Sequence, residues 1–246
     1  MIITEIILLK RKETDFRSGF CLIRQNLNDL KNNLQLLNTV EYDYYQSLKF
    51  EKRQKSYLLG RISAKQAVMK LSAGQSDPKS FYIDSGVFQF PVVKNNNQNI
   101  QVSISHCDDY GISLAFPEDH PMGVDMEYID KSKADVIDLT LTEKEKELIK
   151  SSFNHTYEGN TIFWTVKEAL SKIIKTGFTT DPKIFEIKST AINEDFIVCE
   201  FEHFFQYKSI SYSLQDYVIT IVLPKNTVID SNQLTAIFRS VEQNKH

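Results

Sequence analysis

Two carboxylates, separated by one residue, have the spacing of a metal site. Asp125 and Glu127 lie in the segment Met122–Glu127, which alternation predicts to be a strand. Residues i and i+2 of a strand share a face, about 6.6 Å apart. Two carboxylates on one face disfavour each other's ionisation unless a cation lies between them, and hard oxygen ligands favour Mg²⁺ or a similar ion. Taken alone, the pair is better explained as a solvated strand face, because two acids at this spacing are common.

A second set of polar residues lies in the strongest predicted helix, Ile162–Thr176. Glu168 and Lys172 are at i and i+4 on its polar side, where a surface ion pair is worth about 0.3–0.5 kcal/mol. Trp164 lies one turn before Glu168 on the same face. A tryptophan on the polar side of a helix indicates a covered surface or a cleft, although weakly.

Two further groups have the chemistry of phosphate ligands. Ser105 and His106 end a predicted strand, and both a hydroxyl and an imidazole can donate to an anion. Cationic residues also recur at four-residue steps in the predicted helix 51–71, where guanidinium and ammonium groups can bind phosphates. These are Arg53, Arg61 and Lys65, and Tyr57 occupies the step between Arg53 and Arg61. A polar turn and a solvated helix face remain the alternative interpretations.

Composition excludes several classes of protein. The chain has 246 residues, 41% of them hydrophobic and 25% charged, with a net charge of −3, which argues against binding nucleic acid through bulk charge. No apolar run reaches the roughly 18 residues that span a membrane. The three cysteines form no CxxC pair, so neither a disulfide framework nor a zinc knuckle is predicted. A cytoplasmic location is expected, with neither a nucleic acid nor a membrane as partner.

The elements that must position these residues form two similar sets. The order of long helices and antiparallel-looking strands predicts an α+β fold that is built twice, with lobes at 1–117 and 118–246. Thr142 and Glu145 have the spacing of a capping box, which predicts a helix to about Phe153. Residues 155–160 are predicted to be a loop, Gly177 to end the long helix, and the last twenty residues to be a tail. Strands are predicted at 1–10, 81–83, 87–93, 100–104, 112–116, 122–127, 184–188, 196–201, 209–214 and 217–223.

The order and the residue types of four segments resemble those of the 4′-phosphopantetheinyl transferase superfamily, in its two-lobed monomeric class. The pattern Gly-x-Asp-x-Glu, followed about 40 residues later by Trp-x-x-Lys-Glu-Ala-x-x-Lys, is specific to it. The resemblance covers residues 50–178. The segments that carry it are Gly60-Arg61-Ile62-Ser63-Ala64-Lys65, Val102-Ser103-Ile104-Ser105-His106, Gly123-Val124-Asp125-Met126-Glu127 and Phe163-Trp164-Thr165-Val166-Lys167-Glu168-Ala169-Leu170-Ser171-Lys172.

The resemblance implies a pseudo-twofold pair of α+β lobes, each a long helix on a small antiparallel sheet, with coenzyme A in the cleft between them. It implies that Asp125, Glu127 and Glu168 hold Mg²⁺, and that Lys172 contacts the phosphates. Ser105 and His106 would lie near the nucleotide phosphates. The adenosine end and its 3′-phosphate would be bound by Arg61, Lys65 and Arg53. Members often have Gly-Lys-Pro before the Ser-His strand, where this chain has Gln89-Phe90-Pro91.

The implied reaction moves the 4′-phosphopantetheine arm of coenzyme A to a serine of an apo acyl or peptidyl carrier protein and releases adenosine 3′,5′-bisphosphate. Glu168 is the expected general base, directly or through a water, and Glu127 is the alternative group to position that water. A monomer is expected. Two alternatives remain open: a Mg²⁺-dependent nucleotide pyrophosphate hydrolase, and a non-catalytic module that binds coenzyme A or a carrier protein.

Overall fold

A computed structural model describes residues 1–96 and 98–243 of the chain, apart from the side chains of residues 178, 242 and 243. It divides into two compact units, Met1–Pro121 with Val228–His246, and Met122–Thr227. Each unit has a long helix against an antiparallel sheet, so the predicted α+β class is confirmed. Among the described residues, no helix combines the length and the apolar character needed to cross a bilayer.

The first unit is built on a sheet of order β12-β1-β2-β6-β5, with a separate β3-β4 hairpin. The long helix α3 packs on β2 and β6, and its buried residues, such as Leu58, Ile62 and Val68, recur at helical spacing. The elements are β1 (Ile2–Lys10), β2 (Phe16–Arg24), α1 (Leu27–Lys31), α2 (Thr39–Ser47), α3 (Glu51–Leu71), β3 (Tyr82–Ser85), β4 (Pro91–Lys94), β5 (Ile100–Cys107), β6 (Tyr110–Pro117), β12 (Val228–Ile229) and α7 (Ser231–Gln243).

The second unit repeats this plan with a sheet of order β7-β11-β10-β9-β8. Its long helix α6 packs on β7 and β11. The predicted capping box of Thr142 and Glu145 is present and starts α5. The elements are β7 (Gly123–Tyr128), α4 (Ala134–Asp138), α5 (Glu143–Ser152), α6 (Thr156–Ile174), β8 (Ile187–Ile192), β9 (Ile197–Phe201), β10 (Tyr207–Leu214) and β11 (Tyr217–Pro224).

The C-terminal segment departs from its prediction. The lobe boundaries 1–117 and 118–246 placed it in the second unit, but Val228–His246 belongs to the first. Strand β12 pairs with β1, and α7 buries an apolar face in which the Phe238 ring meets Phe20 edge-on, with 6.1 Å between the ring centres. The prediction of a tail was wrong because it overlooked the helical spacing of Leu234, Ile237, Phe238 and Val241, which are the residues that α7 buries.

The predicted ends of the long helix of the second unit were also wrong. Residues 156–160, predicted to be a loop, form the first turns of α6. A side chain on Gly159 would meet Ile149 and Phe153, so this turn packs closely on α5. At the other end, Lys175 follows the last turn in the left-handed conformation and its N–H bonds the Ser171 carbonyl, whereas Gly177, which also has a positive φ, lies two residues further on.

The two units share the same buried polar connections, which the sequence did not reveal as a repeat. In the first unit, Lys65 forms an ion pair of 2.8 Å with Glu41. In the second, Lys167 forms one of the same length with Glu145. All four side chains are almost fully buried. Burial lowers the pKa of both lysines, and the partner glutamate opposes that shift.

A close approach of helix to sheet is repeated too. A Cβ atom on Gly19 of β2 would lie 2.0 Å from the Ala67 carbonyl oxygen of α3. One on Gly123 of β7 would lie 2.0 Å from the Ala169 carbonyl oxygen of α6. Only glycine permits helix and strand to approach so closely. Aligning the units on these glycines places Cys21 and Ile23 where the second unit has the two strand acids.

Candidate active site

Asp125 lies on β7 beneath the long helix of its unit. It faces Thr220 on β11 in the register of the sheet, and its residue is only 4% exposed. The expected solvated strand face is therefore wrong for Asp125, because α6 covers that side of the sheet. Its Oδ1 accepts a bond of 2.8 Å from the Lys172 ammonium, which also donates to the Val124 carbonyl at 2.8 Å. The helix thus brings its lysine to the strand that bears the first acid.

Glu127 is the half-buried acid of the pair. Burial raises the pKa of its carboxyl, and the Asp125 charge raises it further. The Lys133 and Lys172 charges oppose this rise in pKa, as does a hydrogen bond from the Trp164 indole. The Lys133 ammonium lies 3.9 Å from Glu127 Oε2. Trp164, which the sequence placed one turn before Glu168, therefore contacts the acidic strand.

Glu168 has a carboxyl whose pKa is strongly raised. Burial raises the pKa of its carboxyl to about 8, with the Asp125 charge as the second cause, while the Lys172 charge lowers it and the Glu127 charge adds to the rise. Such mutual effects fall off with distance, so the three acids and Lys172 form one electrostatic group, here called the acid cluster. With a pKa of about 8, the Glu168 carboxyl is mostly protonated at neutral pH unless a nearby cation lowers that pKa.

The acid cluster fits a hard divalent cation in its donor chemistry. Its ligands are carboxylate oxygens, which Mg²⁺ prefers, and a cation among them would relieve the repulsion that raises the pKa values of Glu127 and Glu168. In residues 1–96 and 98–243, no group of three His, Cys, Asp or Glu side chains is already arranged as a metal site. Assembly of the three acids around one ion therefore remains a prediction.

Ser105 and His106 lie at the end of β5 in the first unit. Ser105 is buried and His106 is exposed. The His106 Nε2 atom lies 2.8 Å from Ser56 Oγ of α3. Both residues of this pair line an open cavity of about 450 Å³, together with Lys52 and Lys55 and with the carboxylates of Glu51 and Asp108. Lys55 is held by an ion pair with Asp109.

Sequence reasoning missed Lys52, Lys55 and Ser56. Each lies in the predicted helix 51–71, but nothing in its spacing singles it out. The antiparallel pairing of β5 with β6 and the packing of α3 on both bring Ser56 to His106. The sequence shows a hydroxyl and an imidazole 50 residues apart, and only the fold makes them neighbours.

The three cationic residues at four-residue steps on α3, Arg53, Arg61 and Lys65, do not share one environment. Steps of four residues turn by about 40° each on a helix of 3.6 residues per turn, so the row winds from solvent into the core. Arg53 is exposed, and the Arg61 guanidinium lies over the Tyr57 ring, 4.9 Å from its centre. Lys65 is fully buried and also donates to the Phe81 carbonyl. The prediction that Lys65 binds a phosphate is therefore wrong.

Phe90 stands where the resemblance led us to expect a lysine. A Cβ atom on Gly86 would lie 2.7 Å from the Cζ atom of the Phe90 ring, so the ring fills the space beside that glycine. The segment between them holds Phe88 and Gln89 in the left-handed conformation, with φ values of 62° and 64°. This loop supplies no cation at position 90.

Comparisons with known proteins address the region of the acid cluster. Residues 121–222, which include Asp125, Glu127, Glu168 and Lys172, match the family model of the 4′-phosphopantetheinyl transferase superfamily. A solved holo-(acyl-carrier-protein) synthase from Bacillus anthracis str. Ames, in complex with CoA (3′,5′-ADP), is 18% identical with a TM-score of 0.36; the match covers 44% of this chain and 96% of that one. No curated protein sequence matches. Residues 121–222 are thus similar to the 4′-phosphopantetheinyl transferase superfamily.

Proposed function

We propose that the protein transfers the 4′-phosphopantetheine arm of coenzyme A to a serine hydroxyl of an apo acyl or peptidyl carrier protein, with Mg²⁺, and releases adenosine 3′,5′-bisphosphate. The observation that carries the proposal is the acid cluster, which lies inside the family-matched residues and in which the lysine of α6 bonds the buried Asp125 of β7. The protein is proposed to act as a monomer of the two-lobed class.

The acids of the second unit would hold the ion and move the proton. Asp125, Glu127 and Glu168 are the proposed ligands of Mg²⁺, which when bound would offset charge on the pyrophosphate. Glu168 accepts the proton of the carrier serine hydroxyl. The serine oxygen forms a bond to the phosphorus of the phosphopantetheine arm, and the bond from that phosphorus to the leaving adenosine 3′,5′-bisphosphate breaks. Glu127 is the alternative acceptor, through a positioned water. Lys172 supplies a positive charge for the phosphates beside Asp125.

The first unit would bind the phosphates of coenzyme A at its open cavity. The ammonium groups of Lys52 and Lys55 line it with Ser56 and His106, and all four side chains can donate to phosphate oxygens. Ser105 precedes His106 on β5, although it is buried. Arg53 and Arg61 remain candidates for the adenosine end, whereas Lys65 is removed from the site.

The proposed reaction is tested by incubating the protein with coenzyme A, Mg²⁺ and an apo carrier protein, and measuring the mass of the carrier. The carrier is expected to gain one phosphopantetheine group, and a carrier whose acceptor serine is alanine is expected to gain none. Consumption of coenzyme A without a change in carrier mass would instead show a pyrophosphate hydrolase. Binding without either change would show a non-catalytic module.

Replacing Lys55 by alanine is expected to weaken coenzyme A binding by about 10–100-fold, because a hydrogen bond to a charged group is worth about 1.5–3 kcal/mol. If Lys55 binds the 3′-phosphate, dephospho-coenzyme A should lose much less affinity. Lys70→Ala is the matched control, since Lys70 lies on the same helix but faces Glu5 at 4.0 Å. Calorimetry with both ligands measures this, and equal losses for both would exclude the 3′-phosphate as the partner of Lys55.

A further inference from the structure

Lys167 lies in the middle of the family-matched motif, next to Glu168, yet it is not part of the acid cluster. Its ammonium is fully buried and donates to Glu145 Oε2 at 2.8 Å and to the Thr140 carbonyl at 3.0 Å. A lysine so enclosed cannot reach a substrate phosphate. Its role must be exerted through the elements that it joins.

Glu145 connects those elements. Besides the ammonium, it accepts a bond of 2.8 Å from the Thr142 N–H and one of 2.8 Å from the Ile187 N–H. Thr142 caps α5, and Ile187 is the first residue of β8. The ion pair of Glu145 and Lys167, here called the clamp, therefore ties α6 to the start of α5 and of β8.

The clamp is one of three contacts that fix α6 around Glu168. The second is the Ala169 carbonyl, which lies against Gly123 of the acidic strand. The third is the Lys172 ammonium, which bonds Asp125 and the Val124 carbonyl. Because these contacts involve residues on both sides of Glu168, its backbone has little freedom to move relative to β7.

From these contacts we infer that Lys167 and Glu145 are positioning residues, which hold the backbone of Glu168 against the strand of Asp125 and Glu127 and so set how tightly the acid cluster binds Mg²⁺. The inference rests on the proposed function. Groups that orient metal ligands without touching the metal typically change metal affinity by about 10–100-fold when they are removed. The clamp would thus set the concentration of Mg²⁺ at which the acid cluster fills.

The first unit supplies an internal control for a purely structural role. Glu41 and Lys65 form the same clamp, in which Glu41 accepts from the Ile83 N–H at 2.8 Å. The residue after Lys65 is Gln66, and Cys21 and Ile23 take the places of the strand acids. If each ion pair only stabilises its own unit, removing either lysine should change the Mg²⁺ midpoint and the melting temperature in the same way.

The test compares Lys167→Met with Lys65→Met by titrating Mg²⁺ into each protein and following the fluorescence of Trp164. The chain has one tryptophan, and its indole donates to Glu127, so its emission reports on the acid cluster without an activity assay. We expect Lys167→Met to raise the Mg²⁺ midpoint by about tenfold and Lys65→Met to leave it within about twofold, while both lower the melting temperature.

If Lys167→Met does not fold, Glu145→Gln against Glu41→Gln repeats the comparison, because the amide oxygen can still accept a backbone N–H. Equal midpoint shifts for the two units, or none in the second, would overturn the inference and leave the proposed function standing. If neither the Trp164 emission nor the carrier transfer of the wild-type protein changes with Mg²⁺, the proposed metal site is wrong, and the inference fails with it.

Discussion

Replacing Glu168 by glutamine is expected to lower the rate of phosphopantetheine transfer by about 10²–10⁴-fold, the usual contribution of a general base. Glutamine keeps an oxygen that can face a metal ion but cannot accept the serine proton. Burial and the Asp125 charge raise the pKa of Glu168 to about 8, so Glu168 can act as the base only when a bound cation lowers that pKa. Single-turnover transfer to an apo carrier measures the rate, and calorimetry measures coenzyme A affinity, which we expect to change by less than about threefold, since no charge-assisted bond to coenzyme A is removed.

The matched control is Glu147→Gln, the same chemical change at an exposed position of α5. Surface substitutions of this kind usually change stability by no more than about 0.5 kcal/mol, so transfer should stay near the wild-type rate. Near-normal transfer by Glu168→Gln would refute the assignment of the base and favour Glu127. A loss of coenzyme A affinity equal to the loss of rate would show that Glu168 acts in binding and not in proton transfer.

The sequence predicted those features that depend on neighbours along the chain. The capping box of Thr142 and Glu145 starts a helix because its two hydrogen bonds join residues three apart. The strand around Asp125 and the helix around Glu168 follow from periodicity alone. The acid cluster itself could only be expected by resemblance, since nothing local indicates that α6 lies on β7.

The features that were mispredicted depend on distant parts of the chain. Lys65 was interpreted as exposed because its spacing from Arg61 is helical, whereas its burial is decided by Glu41 and the Phe81 carbonyl. Helix α7 has apolar residues at helical spacing, Leu234, Ile237, Phe238 and Val241, so its sequence did indicate a helix, and only the sheet that it packs on, which begins at residue 2, is distant. Ser56 contacts His106, 50 residues later, only because the fold brings the two together. In each case the partner is set by topology, which one sequence does not encode locally.

A methyl group added at Gly123 is expected to separate the long helix from the acidic strand. Its Cβ would lie 2.0 Å from the Ala169 carbonyl oxygen and 2.9 Å from the Ala169 carbonyl carbon, both of them atoms of the α6 backbone. The backbone cannot rotate away as a side chain would, so α6 must shift, by about 1 Å. Displacements of that size can cost about 10²-fold in rate, and overpacking also costs about 1–3 kcal/mol of stability.

Gly19→Ala makes the same clash in the first unit, where a Cβ would lie 2.0 Å from the Ala67 carbonyl oxygen. We expect both variants to lose a similar amount of melting temperature, because the obstructed atoms are equivalent. Below those temperatures, only Gly123→Ala should also need about tenfold more Mg²⁺, because α6 carries Glu168 and Lys172 whereas α3 carries Gln66 and Lys70 at the matching positions. Transfer rates at several Mg²⁺ concentrations distinguish the two effects. If Gly123→Ala is folded and has the wild-type Mg²⁺ requirement, the acids do not depend on this contact. If Gly19→Ala has an equal Mg²⁺ defect, the contact acts on stability alone.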